Sequence, residues 1–131
     1  ALAIVQDHPF TGAGMNSFRS GRVRDDYPVE KFPNLFVPHA HNEFVQAAAD
    51  LGAPGFYTFI GWNLAVAYML WIGWRRSDQQ GRVVVIAITG GLLAHAAYGM
   101  FDAVPLWDRF SFVYWLMLGL AAAQYQSVRK M

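Results

Sequence analysis

The sequence predicts an all-α integral membrane protein: an extracytoplasmic loop with a short interfacial helix, followed by three transmembrane helices. Three observations carry this. Hydrophobic residues make up 55% of the 131 and aromatic residues 16%, against only 15% charged, which is too apolar for a soluble domain of this size. Two runs of nineteen residues, 56–74 and 83–101, contain no Asp, Glu, Lys or Arg and are long enough as helices to cross about 30 Å of hydrocarbon. Finally, arginine and lysine gather at the ends of these runs in a way that orients them.

Taken in order, residues 1–55 form the predicted extracytoplasmic part. The first forty are polar, carry Gly12, Gly14 and Gly21 with Pro9, Pro28, Pro33 and Pro38, and hold no sustained helical or alternating period. They read as an ordered loop. Residues 56–131 form the membrane domain, with spans at about 56–74, 83–101 and 107–126. The third is the weakest, since its uncharged core "FSFVYWLMLGLAAAQY" is sixteen residues and needs Leu106 and Trp107 or the polar tail to reach across. Arg75, Arg76 and Arg82 between spans one and two, and Arg129 and Lys130 after span three, place those segments in the cytoplasm. The connection "DAVPLWDR" and everything before Phe56 then lie outside. Trp62, Trp71, Trp74 and Trp107 sit near span ends as an aromatic belt would, with Trp62 deeper than the rule prefers.

The stretch "PHAHNEFVQAAADLGAPG", residues 38–55, is the most sharply punctuated. Asn42 is a good N-cap, and Gly52 followed by Pro54 is a strong stop, which predicts a helix over about 42–51. Phe44, Ala47, Ala48 and Leu51 fall at i, i+3, i+4 and i+7 and predict one apolar stripe, on a helix too short to span and suited to the membrane interface. His41 stands at its N-terminal end. Free N–H groups and the helix dipole favour anions there and disfavour added positive charge, so a histidine in this place is suited to act as a general base beside an anion. "FRSGRVR" offers Arg19, Arg22 and Arg24 to the same anion, a diphosphate being the natural fit.

The competing readings are structural. His41 can be a capping residue, and Arg19, Arg22 and Arg24 lie near Asp25, Asp26 and Glu30 as in a solvated mixed-charge loop. His39, His41 and Glu43 would share one face of an extended strand and so offer a metal site, but a helix beginning near Asn42 separates them; no metal and no cofactor are expected. His95, an ionisable group inside span two, is expected to face protein and not lipid. "GAG" at Gly12–Gly14 lacks the lysine and hydroxyl residue of a phosphate loop. The net charge of +1, with no run of five like charges, argues against nucleic acid as a partner. With no cysteine in the chain, a disulfide framework and thiol chemistry are excluded. No signal-peptide pattern precedes the polar stretch, and the chain is expected to be the C-terminal piece of something longer.

"HNEFVQAAADLGAPG" resembles the histidine motif of the O-antigen ligase and polymerase family: His41, Asn42, nine residues, Gly52, two residues, Gly55. The upstream "HPFTGAGMNSF" resembles that family's P-x-x-G-x-G-x-x-x-F lead-in. The downstream "AHAAYGMFDAVPLWDRFSFVYWLMLGL" resembles its closing pair of membrane helices. The resemblance implies part of a GT-C-like polytopic fold in the bacterial inner membrane, with the N-terminal region of this chain periplasmic. It implies transfer of a glycan from undecaprenyl diphosphate to an acceptor hydroxyl, in ligase members a sugar of the lipid A core, without a metal. His41 matches the histidine proposed to activate the acceptor. Arg19, Arg22 and Arg24 are the candidates for the diphosphate and Asn42 for a further substrate contact. With three spans against about a dozen in the family, the fragment alone is expected to be inactive. Repeat-unit polymerase and protein O-oligosaccharyltransferase are the enzyme alternatives. A transporter fragment using His95 and Asp102, or a membrane-anchor binding module, are the others.

Overall fold

The computed structural model describes residues 1–28, 37–102 and 111–129, and over these it is all-helical. Pro33, Glu30, Lys130, the connection holding Pro105 and Trp107, and the start of the third expected span lie outside the described residues, as does the side chain of Arg24. In order, the elements are α1 (Leu2–Asp7), a single 3-10 turn (Ser17–Arg19), α2 (Gly21–Asp26), α3 (Glu43–Arg76), α4 (Gln79–Gly99) and α5 (Ser111–Arg129). They divide into two compact units, residues 1–59 with 98–102 and residues 60–97 with 111–129.

In the first unit, the expected aperiodic loop contains two short helices. Neither is long enough to show a period. Each forms because it delivers apolar side chains to a small core: Ile4 of α1 and Phe18 of the 3-10 turn bury against Ala49, with Val5, Ala13, Val23, Tyr27 and Ala40 around them. The Ser20 hydroxyl accepts the Val23 N–H at 3.3 Å and so caps α2. Tyr27, just past α2, donates its hydroxyl to Asp7 of α1 at 2.9 Å; this hydrogen bond holds the phenolic proton and raises Tyr27 above its usual pKa.

The helix α3 is two helices joined at a kink. At Gly52 the backbone takes φ 66° and ψ −167°, a conformation essentially restricted to glycine, and the helical ladder breaks there. Residues 43–51 form the short segment. Asn42 starts it, its Oδ1 accepting the Val45 N–H at 3.0 Å. The longer segment restarts at once because Pro54, in its first turn, needs no N–H partner.

What stops the short segment is a second strand of backbone. Residues 8–14, the "HPFTGAG" loop, cross its C-terminal end. The N–H groups of Ala13 and Gly14 donate to the carbonyls of Ala49 and Asp50 at 2.8 and 3.0 Å, and Ala53 donates to the Pro9 carbonyl at 2.7 Å. Carbonyls orphaned by the helix end are satisfied this way. The approach is so close that a Cβ on Gly12 would collide with the Asp50 carbonyl and the Leu51 nitrogen, and one on Gly52 would lie 2.5 Å from the Phe10 carbonyl carbon. Both glycines have φ above +60°. "GAG" is thus a helix-capping loop.

The short segment also turns an unexpected face inward. Its buried stripe is Glu43, Gln46, Ala47 and Asp50, at i, i+3, i+4 and i+7, whereas Phe44, Ala48 and Leu51 of the expected apolar stripe are only half-buried. Two of the polar groups are satisfied from the helix and its lead-in: Gln46 accepts the Ala40 N–H at 2.7 Å and donates to Asp50 at 2.8 Å. Phe44 meets Phe59 edge to face on the other side.

In the second unit, α3, α4 and α5 pack through Val66, Leu70, Val85, Ile88 and Ala121, with Leu92 and Leu118 beside them. Tyr114 of α5 is almost fully buried. Its hydroxyl accepts from the Trp62 indole at 2.7 Å and donates to Asn63 at 3.0 Å, and His95 stacks on its ring at 4.7 Å. This accounts for a tryptophan deeper than an aromatic belt would place it: its N–H has an interior partner. His95 faces protein. At the other end Arg75 lies over Trp71 and Arg82 over Trp74.

Both α3 and α4 are long and apolar enough to cross a membrane, and only 17% and 11% of their most apolar stretches are buried. Leu64, Trp71, Val83, Ile86 and Leu93 are exposed instead. Core helices of a soluble protein would hide such side chains, while lipid or further helices accept them.

The crossing makes Gly12 and Gly52 the least replaceable residues of the first unit. Gly12→Val and Gly52→Val should each destabilise by upwards of roughly 3 kcal/mol, from a forbidden φ together with a backbone collision. Thermal unfolding of the detergent-purified protein checks this, with Gly61→Ala as the control, since space around Gly61 is open.

Candidate functional site

His41 sits one residue before the cap of the short segment, with φ 52°, an uncommon left-handed backbone for a residue with a side chain. Holding it there costs about 1–2 kcal/mol, which the surrounding hydrogen bonds must offset. Asn42 supplies the first of them. While its Oδ1 caps the helix, its amide donates to the Met100 carbonyl at 3.1 Å, fastening the start of this helix to the residue after α4. The side chain of Asn42 therefore works as a cap and a clamp.

That clamp brings Asp102 to the histidines. Its Oδ1 lies 3.2 Å from Nδ1 of His41 and 3.3 Å from Nδ1 of His39. Its Oδ2 accepts the Tyr98 hydroxyl at 2.8 Å, and the Tyr98 carbonyl accepts the N–H groups of Phe101 and Asp102 as α4 unwinds. The carboxylate is held at both oxygens. The two imidazoles stand edge to face, 4.3 Å between centroids. They differ in access: the His41 side chain is 60% exposed and that of His39 only 17%.

A carboxylate can only accept, so the 3.2 Å contact places a proton on Nδ1 of His41, and in the neutral ring the lone pair is then on Nε2. This is the tautomer a general base needs. Glu43, which a helix beginning near Asn42 is expected to separate from the two histidines, is elsewhere, buried in the first turn of the short segment. Asp102 takes its place in the cluster. Nothing in local spacing pointed to it, since 61 residues separate it from His41; the usable signal was an aspartate at the end of a span on the same expected side as the motif.

The arginines lie on the 3-10 turn and α2. Arg19 ends the turn, and Arg22 forms an exposed pair with Asp26 at 3.7 Å, of little energetic weight. Their segment is anchored by Phe18 and Val23 to the core that includes Ala40 and Ala49.

Residues 1–60 match the O-antigen ligase family. The match covers the crossing loop, both histidines and the Gly52 break, and it ends inside α3; Asp102 lies beyond it. The family comprises O-antigen ligase and polymerase-type proteins of the inner membrane, glycosyltransferase-like enzymes that act on lipid-linked glycans. Among the described residues the chain is all-helical, and its two long apolar helices agree with a family of membrane proteins. No curated protein and no solved structure matches the chain.

The strained backbone at His41 separates fold from function in a measurable way. His41→Gly removes the conformational penalty and His41→Ala keeps it, so the glycine variant should be the more stable of the two by roughly 1 kcal/mol, although both lack the imidazole. A thermal shift series on the two purified variants checks the order, and the reverse order would place no strain at this residue.

Proposed function

We propose that this chain is the acceptor-activating part of an O-antigen ligase-type glycosyltransferase. It transfers a glycan from undecaprenyl diphosphate to an acceptor hydroxyl, a lipid A core sugar in the ligase case, at the periplasmic face of the inner membrane. The observation that carries this is the 3.2 Å contact between Nδ1 of His41 and Asp102, in a motif at the start of a helix next to a membrane-length segment.

In the step proposed, Nε2 of His41 takes the proton of the acceptor hydroxyl as its oxygen attacks the anomeric carbon. The bond from that carbon to the diphosphate breaks, and undecaprenyl diphosphate leaves with the electron pair. Asp102 is a positioning residue: it fixes the tautomer and supports the imidazolium as it forms. Arg19, Arg22 and Arg24 are assigned to the growing negative charge on the diphosphate. Donor and acceptor are both anchored at the membrane surface, so holding them in line supplies much of the rate. The reading requires no metal for transfer. It takes α5 as a third span, with the segment between α3 and α4 cytoplasmic, and treats the short segment of α3 as lying at the interface.

The decisive measurement is glycan transfer by purified full-length protein. His41→Ala should lower turnover by on the order of 10²–10⁴-fold and leave donor affinity nearly intact, because the base acts on the acceptor. Arg19, Arg22 or Arg24→Ala should instead weaken donor binding as well. Wild-type turnover in His41→Ala would remove the base from the mechanism.

Orientation is tested separately. Met15 and Gln80 are exposed in the two segments expected on opposite sides. Met15→Cys should react with an impermeant thiol reagent from the periplasm and Gln80→Cys only from the cytoplasm, in a full-length protein freed of other cysteines. Labelling of both from one side would overturn the topology.

A further inference from the structure

We propose that His39, His41 and Asp102 form a binding site for a zinc-class transition-metal ion, and that an ion bound there blocks transfer. Nδ1 of each histidine and Oδ1 of the aspartate lie within 4.8 Å of one another. Two of the three edges measure 3.2 and 3.3 Å. A tetrahedral zinc ion with bonds of about 2.0–2.1 Å needs ligand separations of about 3.3 Å, so those edges already have the right length. Two imidazoles and one carboxylate are also a donor set that zinc accepts, and three protein ligands leave a fourth position open. The Tyr98 hydroxyl on Oδ2 provides the outer hydrogen bond that orients a ligating carboxylate.

The consequence for chemistry follows from the tautomer. With no ion, Nδ1 of His41 carries a proton that it donates to Asp102, and Nε2 holds the lone pair. An ion on Nδ1 displaces that proton and binds the lone pair left on Nδ1, the ring then carries its proton on Nε2, and the nitrogen that would accept the acceptor proton becomes a donor. The ion also separates Asp102 from its positioning role. His39, at 17% exposed, contributes the most sheltered ligand and has no part in transfer. Inhibition rests on the reading of His41 as base; binding of the ion does not.

The test uses full-length protein in nanodiscs, with any affinity tag removed, titrated with Co²⁺ as a spectroscopic probe and then with Zn²⁺ in competition. One equivalent of Co²⁺ should give the intense visible absorption of a four-coordinate site, and His39→Ala and Asp102→Asn should each weaken binding by at least 10–100-fold, the order expected when a site loses a supporting group. Zn²⁺ should inhibit wild-type transfer and a chelator should restore it. His39→Ala should keep basal transfer and lose its sensitivity to Zn²⁺. Absence of a stoichiometric cobalt spectrum, or wild-type affinity in His39→Ala, overturns the site. Transfer that zinc leaves untouched in protein that binds cobalt overturns the blocking role, as does transfer that a chelator abolishes. Full turnover of His41→Ala without metal, with cobalt binding retained in wild type, would defeat the general-base reading and leave the ion site standing.

Discussion

Where residues 8–14 cross residues 49–53, two backbones run so close that neither Gly12 nor Gly52 has room for a methyl group. Most of the first unit follows from this contact. The crossing loop closes the carbonyl end of the short helix, ends it at Leu51, and forces the chain through a conformation that glycine alone adopts freely. With its C-terminal end fixed and Asn42 fixing the other, the helix has a set length and rotation, and His41 emerges at a set place. The glycines that look like catalytic punctuation are there to let backbones touch.

Polar residues of the short helix also point inward. The lead-in residue Ala40 gives its N–H to Gln46, Gln46 donates in turn to Asp50, and Glu43 is buried in the first turn. Phe44, Ala48 and Leu51 are left half-buried on the other side, Phe44 against Phe59. The inversion sets polar partners inside and leaves apolar side chains on the half-buried side. It recurs in the second unit, where Trp62, Asn63 and Tyr114 satisfy one another inside while Leu64 and Trp71 remain exposed.

Much of this was legible in the sequence, for reasons that can be traced. The uncharged runs, the Asn42 cap and the Gly52 stop are signals local to a few residues, and each has a direct physical cause. The inward face of the short helix is not legible from sequence because periodicity reports which side chains are apolar, and not what they will meet. α1 and α2 were invisible since helices of six residues owe their existence to tertiary contacts through Ile4 and Val23. Asp102 and Tyr98 are not grouped with His41 by sequence because no spacing rule reaches across two membrane-length helices.

That separation along the chain has a developmental meaning. His41 and its capped helix belong to the first half of the sequence, and the carboxylate that fixes its tautomer arrives only once α3 and α4 have been made and the chain has returned. A nascent chain thus carries a histidine without its orienting partner until two long apolar helices have found their places.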